Sequence, residues 1–255
     1  MKFIDHLKED YNKVKDQPTK EKLAFFWEYY KIQILCIVLA IVLLVQGVAA
    51  LKNRRETVYS AALINCTLVV DESDFLDGFY EYAGIDASTS CAAFYTDMSI
   101  IAGRTQDNAN TLQRIMAGIA IRDMDFITGN PEAFHQCAYN TGSMLMDLRN
   151  FLDAETLEHF SDRLYYIDGS IIDLLNAPIG EHVDPNKLTY PDPHKPETME
   201  DPIPVGIDIS DREIFQDVYY LEGTTIYIGF VPNSTRQELN HKLIEYLFLS
   251  PTDEP

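Results

Sequence analysis

Strand-like and helix-like hydrophobic patterns alternate along residues 58–250 and predict a domain that mixes both elements. Short apolar or alternating runs predict strands at residues 58–68, 91–95, 124–128, 164–167, 203–207 and 225–231. Apolar residues that recur every three or four positions predict helices at residues 71–83, 108–121, 131–139, 154–160 and 236–250. Because strands and helices alternate, we expect an α/β fold with a mostly parallel sheet and helices on both faces.

A proline-rich stretch interrupts this alternation at residues 178–204, which hold seven of the twelve prolines of the chain. Proline has no backbone N–H and a fixed φ angle, so this composition argues against a helix or a central strand. We therefore expect a long surface excursion, of the kind that is often functional or disordered.

The longest apolar run predicts a transmembrane helix at residues 32–51, where no charged residue interrupts twenty positions. At about 1.5 Å per residue this helix spans the roughly 30 Å hydrocarbon core of a bilayer. Just before it, FFWEYYK at residues 25–31 supplies an aromatic belt followed by Lys31. We expect one uncleaved anchor, although Val48–Ala50 offers the alternative of a signal-peptide cleavage site.

This anchor divides the chain into a juxtamembrane segment (1–31), the membrane helix (32–51), a linker (52–57), the α/β domain (58–250) and a tail (251–255). Five lysines precede the anchor closely and three basic residues follow it, which favours a cytoplasmic N-terminus and an extracytoplasmic domain at the cell membrane. The amphipathic start of the chain either rests on the bilayer or docks to another membrane protein, such as a transporter.

Charge is distributed unevenly between the two parts of the chain. Residues 1–55 carry 10 Lys/Arg and 6 Asp/Glu, a net charge of +4, whereas residues 56–255 carry 10 and 34, a net charge of −24. A domain this acidic repels nucleic acid and anionic membrane surfaces, so neither is expected as its partner. The excess of carboxylates keeps the domain soluble or, alternatively, attracts a cationic ligand.

Sequence motifs give no sign of catalysis, a metal site or a cofactor. The chain contains no GxSxG, Walker loop, GxGxxG or HExxH pattern, so we expect a protein that is not an enzyme. His135 and Cys137 are two positions apart on a predicted helix and point to different faces, which disfavours a metal site. Of the four cysteines, Cys66 and Cys91 could pair, but buried free thiols are the alternative.

Two phrases resemble the extracellular solute-binding proteins of bacterial importers, of the type II periplasmic-binding class. They are MDFITGNPEAFHQCAYNTGSMLMDL at residues 124–148 and GFVPNSTRQELNHKLIEYLF at residues 229–248. Together with KEKLAFFWEYYK at residues 20–31, they resemble membrane-anchored proteins of Gram-positive bacteria that carry such a domain. The resemblance covers about half the chain and transfers no individual binding residue.

This resemblance implies one lobe, or a reduced form, of the type II periplasmic-binding fold, since some two hundred residues are too few for two full lobes. The implied function is a single-pass, membrane-anchored binding, sensing or scaffolding module that is not an enzyme. One alternative is the solute receptor of an importer, with a sugar or a peptide as its small-molecule ligand. An envelope hydrolase is a further alternative, which lacks any catalytic signature.

A ligand site in such a fold is expected at the carboxyl ends of the parallel strands. The polar or turn-forming residues that the predicted strands place there are Asn65, Thr96, Asp97, Thr128, Gly129, Asn130 and Asp208. Tyr165 or Tyr166 would add a stacking surface. The structural alternative for each residue is a place in the core or a cap on a turn. Asn130 in particular is expected to cap the helix that begins at Pro131.

Overall fold

The computed structural model describes residues 11–12, 15, 18–52, 55–66, 77–140, 144–178, 183–216, 219 and 224–249. The predicted tail at 251–255 lies outside these residues, as does most of the predicted amphipathic start of the chain. The chain separates into two compact units, residues 1–54 and residues 55–255.

The first unit contains one long helix, α1, which runs without interruption from Thr19 to Lys52. Within α1, residues Trp27–Ala49 have a mean hydropathy of 2.7 and none of this stretch is buried. Leu35, Leu44 and Val45 each expose more than 60% of their surface. The helix is therefore long and apolar enough to cross a membrane, as a membrane anchor or an N-terminal signal sequence would be.

The second unit is an α/β domain with six strands. The strands are β1 (Glu56–Leu63), β2 (Ser90–Tyr95), β3 (Phe126–Gly129), β4 (Leu164–Asp168), β5 (Pro202–Asp208) and β6 (Tyr227–Phe230). The helices are α2 (Asp77–Ala83), α3 (Thr105–Ala120), α4 (Pro131–Ala138), α5 (Ala154–His159), α6 (Gly169–Leu175), α7 (Glu213–Gln216) and α8 (Gln237–Ile244). A π-helical turn, Glu245–Leu249, continues α8, and short 3-10 turns form at Leu148–Asn150, Pro185–Lys187 and Pro196–Thr198.

All six strands form one mixed sheet in the order β2-β1-β3-β6-β5-β4. β1 pairs in parallel with β2 and with β3, as expected for strands joined by crossover helices. The pairs β3–β6, β6–β5 and β5–β4 are antiparallel. The parallel arrangement predicted from the sequence is thus confirmed for one half of the sheet, and the other half is antiparallel.

Side chains alternate between the two faces of the sheet, and each face carries its own hydrophobic core. Tyr59 and Leu63 of β1 point to one core, whereas Ala62 of the same strand belongs to the other. The first core is closed by residues of α2, α7 and α8, and the second by residues of α3, α4 and α6. The helices therefore cover both faces, as the alternating pattern predicts.

The final helix is fastened to the sheet through Asp125, the residue before β3. Its carboxylate is fully buried and accepts hydrogen bonds from the Ser60 N–H, the Ser234 hydroxyl and the Arg236 guanidinium at 2.7, 2.6 and 2.9 Å. Burial raises the pKa of Asp125, and these three donors oppose that shift. The bonds join β1, β3 and the start of α8, so they fix the middle of the sheet.

Most strands and helices form where the hydrophobic pattern predicts them, but the proline-rich region differs. Pro202 and Pro204 lie in β5, which has neighbours on both sides, so the expectation that this stretch excludes a central strand is wrong at its end. Pro202 is the first residue of the strand, and the register shifts between Tyr165 and Tyr166, opposite Pro204. Those are the two positions where a strand tolerates a missing N–H.

Candidate functional site

The sheet has a topological switch point at β1. The chain leaves β1 to form β2 on one side and later forms β3 on the other side. The carboxyl ends of these three parallel strands lie at the same edge, where α/β proteins bind ligands. A cavity of about 480 Å³ opens there; we call it the switch-point cavity. It is lined by Asn65, Cys66, Thr96–Ile101, Asn130 and Glu132.

Asn65 builds the floor of the switch-point cavity. It follows the end of β1 with φ at 59°, a left-handed conformation that asparagine tolerates better than most residues. Its amide donates to the Ile100 carbonyl at 2.7 Å, and its Oδ1 accepts the Ile100 N–H at 2.8 Å. Asn65 thereby holds the loop after β2 against the end of β1.

Asn130 joins this arrangement from β3 and leaves one donor available. Its Oδ1 accepts the Ala133 N–H at 3.1 Å, which confirms the predicted cap of α4, and also accepts from Asn65 Nδ2 at 3.0 Å. Among the described residues, Asn130 Nδ2 has no hydrogen-bond partner. Since Asn130 lines the cavity and is half-buried, this N–H group is available to a ligand.

The two charged side chains among the described residues that line the switch-point cavity, Asp97 and Glu132, are both acidic. Glu132 is exposed in the first turn of α4 and forms no ion pair with a described residue. Asp97 is also exposed and pairs with Arg114 at 3.0 Å through both carboxylate oxygens. Pro131 removes one backbone donor that an anion would need at this helix start. The site is therefore suited to neutral or positively charged groups.

Some of the residues predicted from the sequence line the switch-point cavity, and others do not. Asn65, Thr96, Asp97 and Asn130 are brought together around one cavity. Asp208 lies at the same edge of the sheet, two strands from Gly129, because Tyr227 pairs with both residues. The Asp208 carboxylate, however, binds the N–H and hydroxyl of Ser210 and so caps its own turn.

The remaining predicted residues have packing roles. Thr128 is fully buried, and its hydroxyl lies 2.5 Å from that of Tyr219. Gly129 is also buried and does not line the cavity. Tyr165 is buried in the core beside Phe134, and Tyr166 packs against the opposite core. None of these four residues belongs to the switch-point cavity.

Sequence reasoning missed Glu132 and the loop of residues 98–101 as parts of the site. Glu132 comes directly after the Asn130–Pro131 helix start, so its position in the sequence indicated that it would lie at the same edge of the sheet as Asn130. The loop gave no periodic pattern, and its place depends on Asn65 and on Asn108, whose amide binds the Ile101 N–H and carbonyl at 3.0 and 2.9 Å. Such long-range contacts cannot be read from the loop itself.

Within the described ranges, no group of three or more His, Cys, Asp or Glu side chains could hold a metal ion. No disulfide joins Cys36, Cys66, Cys91 and Cys137, so Cys66 and Cys91 do not pair with each other. Burial raises the pKa of the Cys137 thiol to about 12, so it is not a reactive thiolate. His135, its neighbour on α4, lies 3.3 Å from the Tyr165 hydroxyl through Nδ1.

Comparison of the chain with protein-family models, with curated proteins and with solved structures finds no match.

Proposed function

We propose that this protein is a membrane-anchored binding module whose α/β domain holds a small polar solute at the switch-point cavity. The observation that carries the proposal is the convergence of Asn65, Thr96, Asp97 and Asn130 around one cavity at the carboxyl edge of β1, β2 and β3. Cavities of some hundreds of cubic ångströms with a few convergent polar groups are typical ligand sites.

The preferred solute carries a hydrogen-bond acceptor and is neutral or positively charged. The acceptor would bind Asn130 Nδ2, which has no partner in the part of the chain that the structure describes. A positive group would be attracted by Glu132 and by the net charge of −24 over residues 56–255. An anion would be repelled by the carboxylates and would find no backbone N–H donor at Pro131.

The helix α1 would anchor the module in the cell membrane, with the N-terminus in the cytoplasm and the domain outside. The support is the apolar stretch Trp27–Ala49 and the excess of lysines before it. Protease treatment of intact cells should remove the domain and leave the N-terminal segment protected. Protection of the domain in intact cells, with digestion after lysis, would refute this orientation.

Ligand binding is tested by a thermal-shift screen of the full-length protein in lipid nanodiscs against amino acids, amines and amides. A solute that binds only the folded state raises the melting temperature by mass action, by several degrees at about one hundred times Kd. We expect at least one neutral or cationic class to do so. If no class shifts the melting temperature at about 10 mM, which covers even millimolar Kd values, the proposal is wrong.

A further inference from the structure

A second, larger cavity, which shares no described lining residue with the switch-point cavity, lies between α3, α4, α6 and the proline-rich region. Its volume is about 560 Å³, within the range of small-molecule sites. Pro185 and Tyr190 of the proline-rich region border it, and Leu175 closes it from α6. We call it the aromatic cavity, because three of its lining residues, His135, Tyr139 and Tyr190, form a ring cluster.

The ring cluster is compact. The His135 ring lies 4.9 Å from that of Tyr139 and 4.6 Å from that of Tyr190, and the two tyrosine rings are 4.6 Å apart. His135 and Tyr190 are half-buried, so part of each ring surface faces the cavity. Burial lowers the pKa of His135, so its imidazole is neutral at pH 7.

The polar groups that the structure describes around the rings are uncharged. No described residue that lines the aromatic cavity is Asp, Glu, Lys or Arg. Gln136 and Thr105 line it and form no side-chain hydrogen bond with any described residue. An amide and a hydroxyl both donate and accept hydrogen bonds, as the hydroxyls of a sugar do.

We propose that the aromatic cavity binds a neutral carbohydrate of one or two rings, which stacks on Tyr190 and hydrogen-bonds with Gln136 and Thr105. The ring cluster supplies an apolar surface for the C–H face of the sugar, and the two polar side chains match its hydroxyls. A cationic ligand would find no carboxylate among the described lining residues, and an anion would be repelled by the acidic domain.

The test measures binding of maltose, cellobiose and N,N′-diacetylchitobiose to the full-length protein in phosphatidylcholine nanodiscs, which contain no sugar headgroup. Ligand-observed NMR gives Kd values into the millimolar range. We expect at least one disaccharide to bind, with Tyr190→Ala raising its Kd about three- to tenfold. Tyr190→Phe keeps the ring and loses only the hydroxyl bond to the Pro185 carbonyl, so its Kd should stay within about twofold.

Two further variants keep the result interpretable. Gln136→Ala should raise the sugar Kd about three- to tenfold. The Gln136 side chain forms no hydrogen bond with a described residue, so its removal should not affect folding. This variant therefore tests the inference even if Tyr190→Ala fails to fold. Glu238→Ala, at an exposed side chain that lines neither cavity, should leave the sugar Kd unchanged. The inference is overturned if no disaccharide binds at about 10 mM, or if one binds with the same Kd in Gln136→Ala and in every Tyr190 variant that folds.

Discussion

At the scale of single residues, Asn65 and Asp125 determine the shape of the site and the stability of the sheet. Asn65 combines a left-handed backbone with three hydrogen bonds from its side chain, two of them to Ile100. Asp125 places a carboxylate in the core, where three donors satisfy it. Each residue links segments that are far apart in sequence, so substitution should have effects beyond its own position.

Replacing Asn65 separates its backbone role from its side-chain role. Asn65→Ala loses the hydrogen bonds and keeps a Cβ in the left-handed region without the polar side chain that lets asparagine tolerate it. We expect a loss of about 2 to 4 kcal/mol in the free energy of unfolding. Asn65→Gly loses the same bonds without that strain and should be about 1 kcal/mol more stable than Asn65→Ala. Denaturation followed by circular dichroism measures both; equal stabilities would contradict the backbone role.

Removing the Asp125 carboxylate should destabilise the domain strongly. Asp125→Ala leaves the Arg236 guanidinium, whose side chain is only 19% exposed, without its buried partner. We expect a loss of about 3 to 5 kcal/mol in the free energy of unfolding. Glu238→Ala is the control, because that side chain is 86% exposed and 3.6 Å from Lys242, and it should cost less than about 1 kcal/mol. Similar costs for both variants would contradict the bracing role of Asp125.

At the scale of elements, the proline-rich region is an ordered strap where the structure describes it. The Tyr166 N–H donates to the Pro193 carbonyl at 2.9 Å, and the Gly169 N–H donates to the Asp201 carbonyl at 2.7 Å. His194 Nε2 lies 2.8 Å from the Tyr227 hydroxyl. The region thus covers the outer edge of β4, which would otherwise present unpaired backbone groups.

Asp168 fastens this strap, and its titration should be visible in stability. Burial acts to raise the pKa of Asp168. Its carboxylate, however, accepts hydrogen bonds from the N–H groups of Glu200, Ser170 and Asp201 and from the Ser170 hydroxyl, and these bonds leave the pKa below its usual range. A lowered folded-state pKa contributes stability above the ordinary pKa of 3.8, and this contribution is lost as the pH falls through the folded-state pKa.

The measurement compares the wild type with Asp168→Asn, which does not titrate. At pH 7 the variant should be about 1 to 3 kcal/mol less stable in free energy of unfolding, because one charged acceptor is replaced by a neutral amide. This difference should shrink as the pH is lowered from about 5 to below 3. Groups that titrate in both proteins cancel in this difference in free energy of unfolding. A difference that does not change with pH would show that the charge of the Asp168 carboxylate does not hold the strap.

The elements also show which features a sequence can predict. Helix α4 was predictable because Asn130 and Pro131 act locally, through a cap and a fixed φ angle. The strand β5 was predicted from Ile203 onward. Its prolines are tolerated because Pro202 starts the strand and Pro204 lies beside a bulge in β5 at Val205, and both features depend on strand pairing. Helix α6 was missed because Gly169 follows β4 directly, without a loop; Asp168, which caps it, was the available signal.

The candidate site follows the same division. Thr96, Asp97 and Asn130 could be placed at one edge because each follows a predicted parallel strand, and Asn65 because it lies near the end of the strand predicted at residues 58–68. The burial of Thr128 against Tyr219 could not be predicted, since the two residues are ninety-one positions apart. The aromatic cavity likewise joins His135 to Tyr190 across a proline-rich stretch that has no periodicity.

At the scale of the whole molecule, the chain joins an exposed apolar helix to an acidic α/β domain. The stretch Trp27–Ala49 of α1 has the length and hydropathy of a membrane span, and residues 56–255 carry a net charge of −24. The helix would keep the domain at the membrane, and the negative charge would keep the domain surface hydrated and away from anionic headgroups.

Charges in the middle of α1 should release the protein from the membrane. Leu39 and Val42 are both more than 40% exposed, and an arginine at each costs roughly 2.5 to 3.5 kcal/mol of insertion free energy. The double variant Leu39→Arg/Val42→Arg should therefore lose much of its membrane fraction after alkaline extraction. The matched variant Leu39→Ala/Val42→Ala should remain in the membrane; release of both variants, or of neither, would contradict anchoring by this stretch.

The most direct test of the proposed function is the affinity of Asn130→Asp for the solute that the thermal-shift screen identifies. This substitution keeps the oxygen that caps α4 and exchanges for a second oxygen only the Nδ2 donor, which has no hydrogen-bond partner among the described residues. Isothermal titration calorimetry on the full-length protein should show the Kd of a neutral solute rising at least about tenfold, because a ligand acceptor would then face a carboxylate. A Kd within about twofold of the wild-type value would show that the solute binds elsewhere.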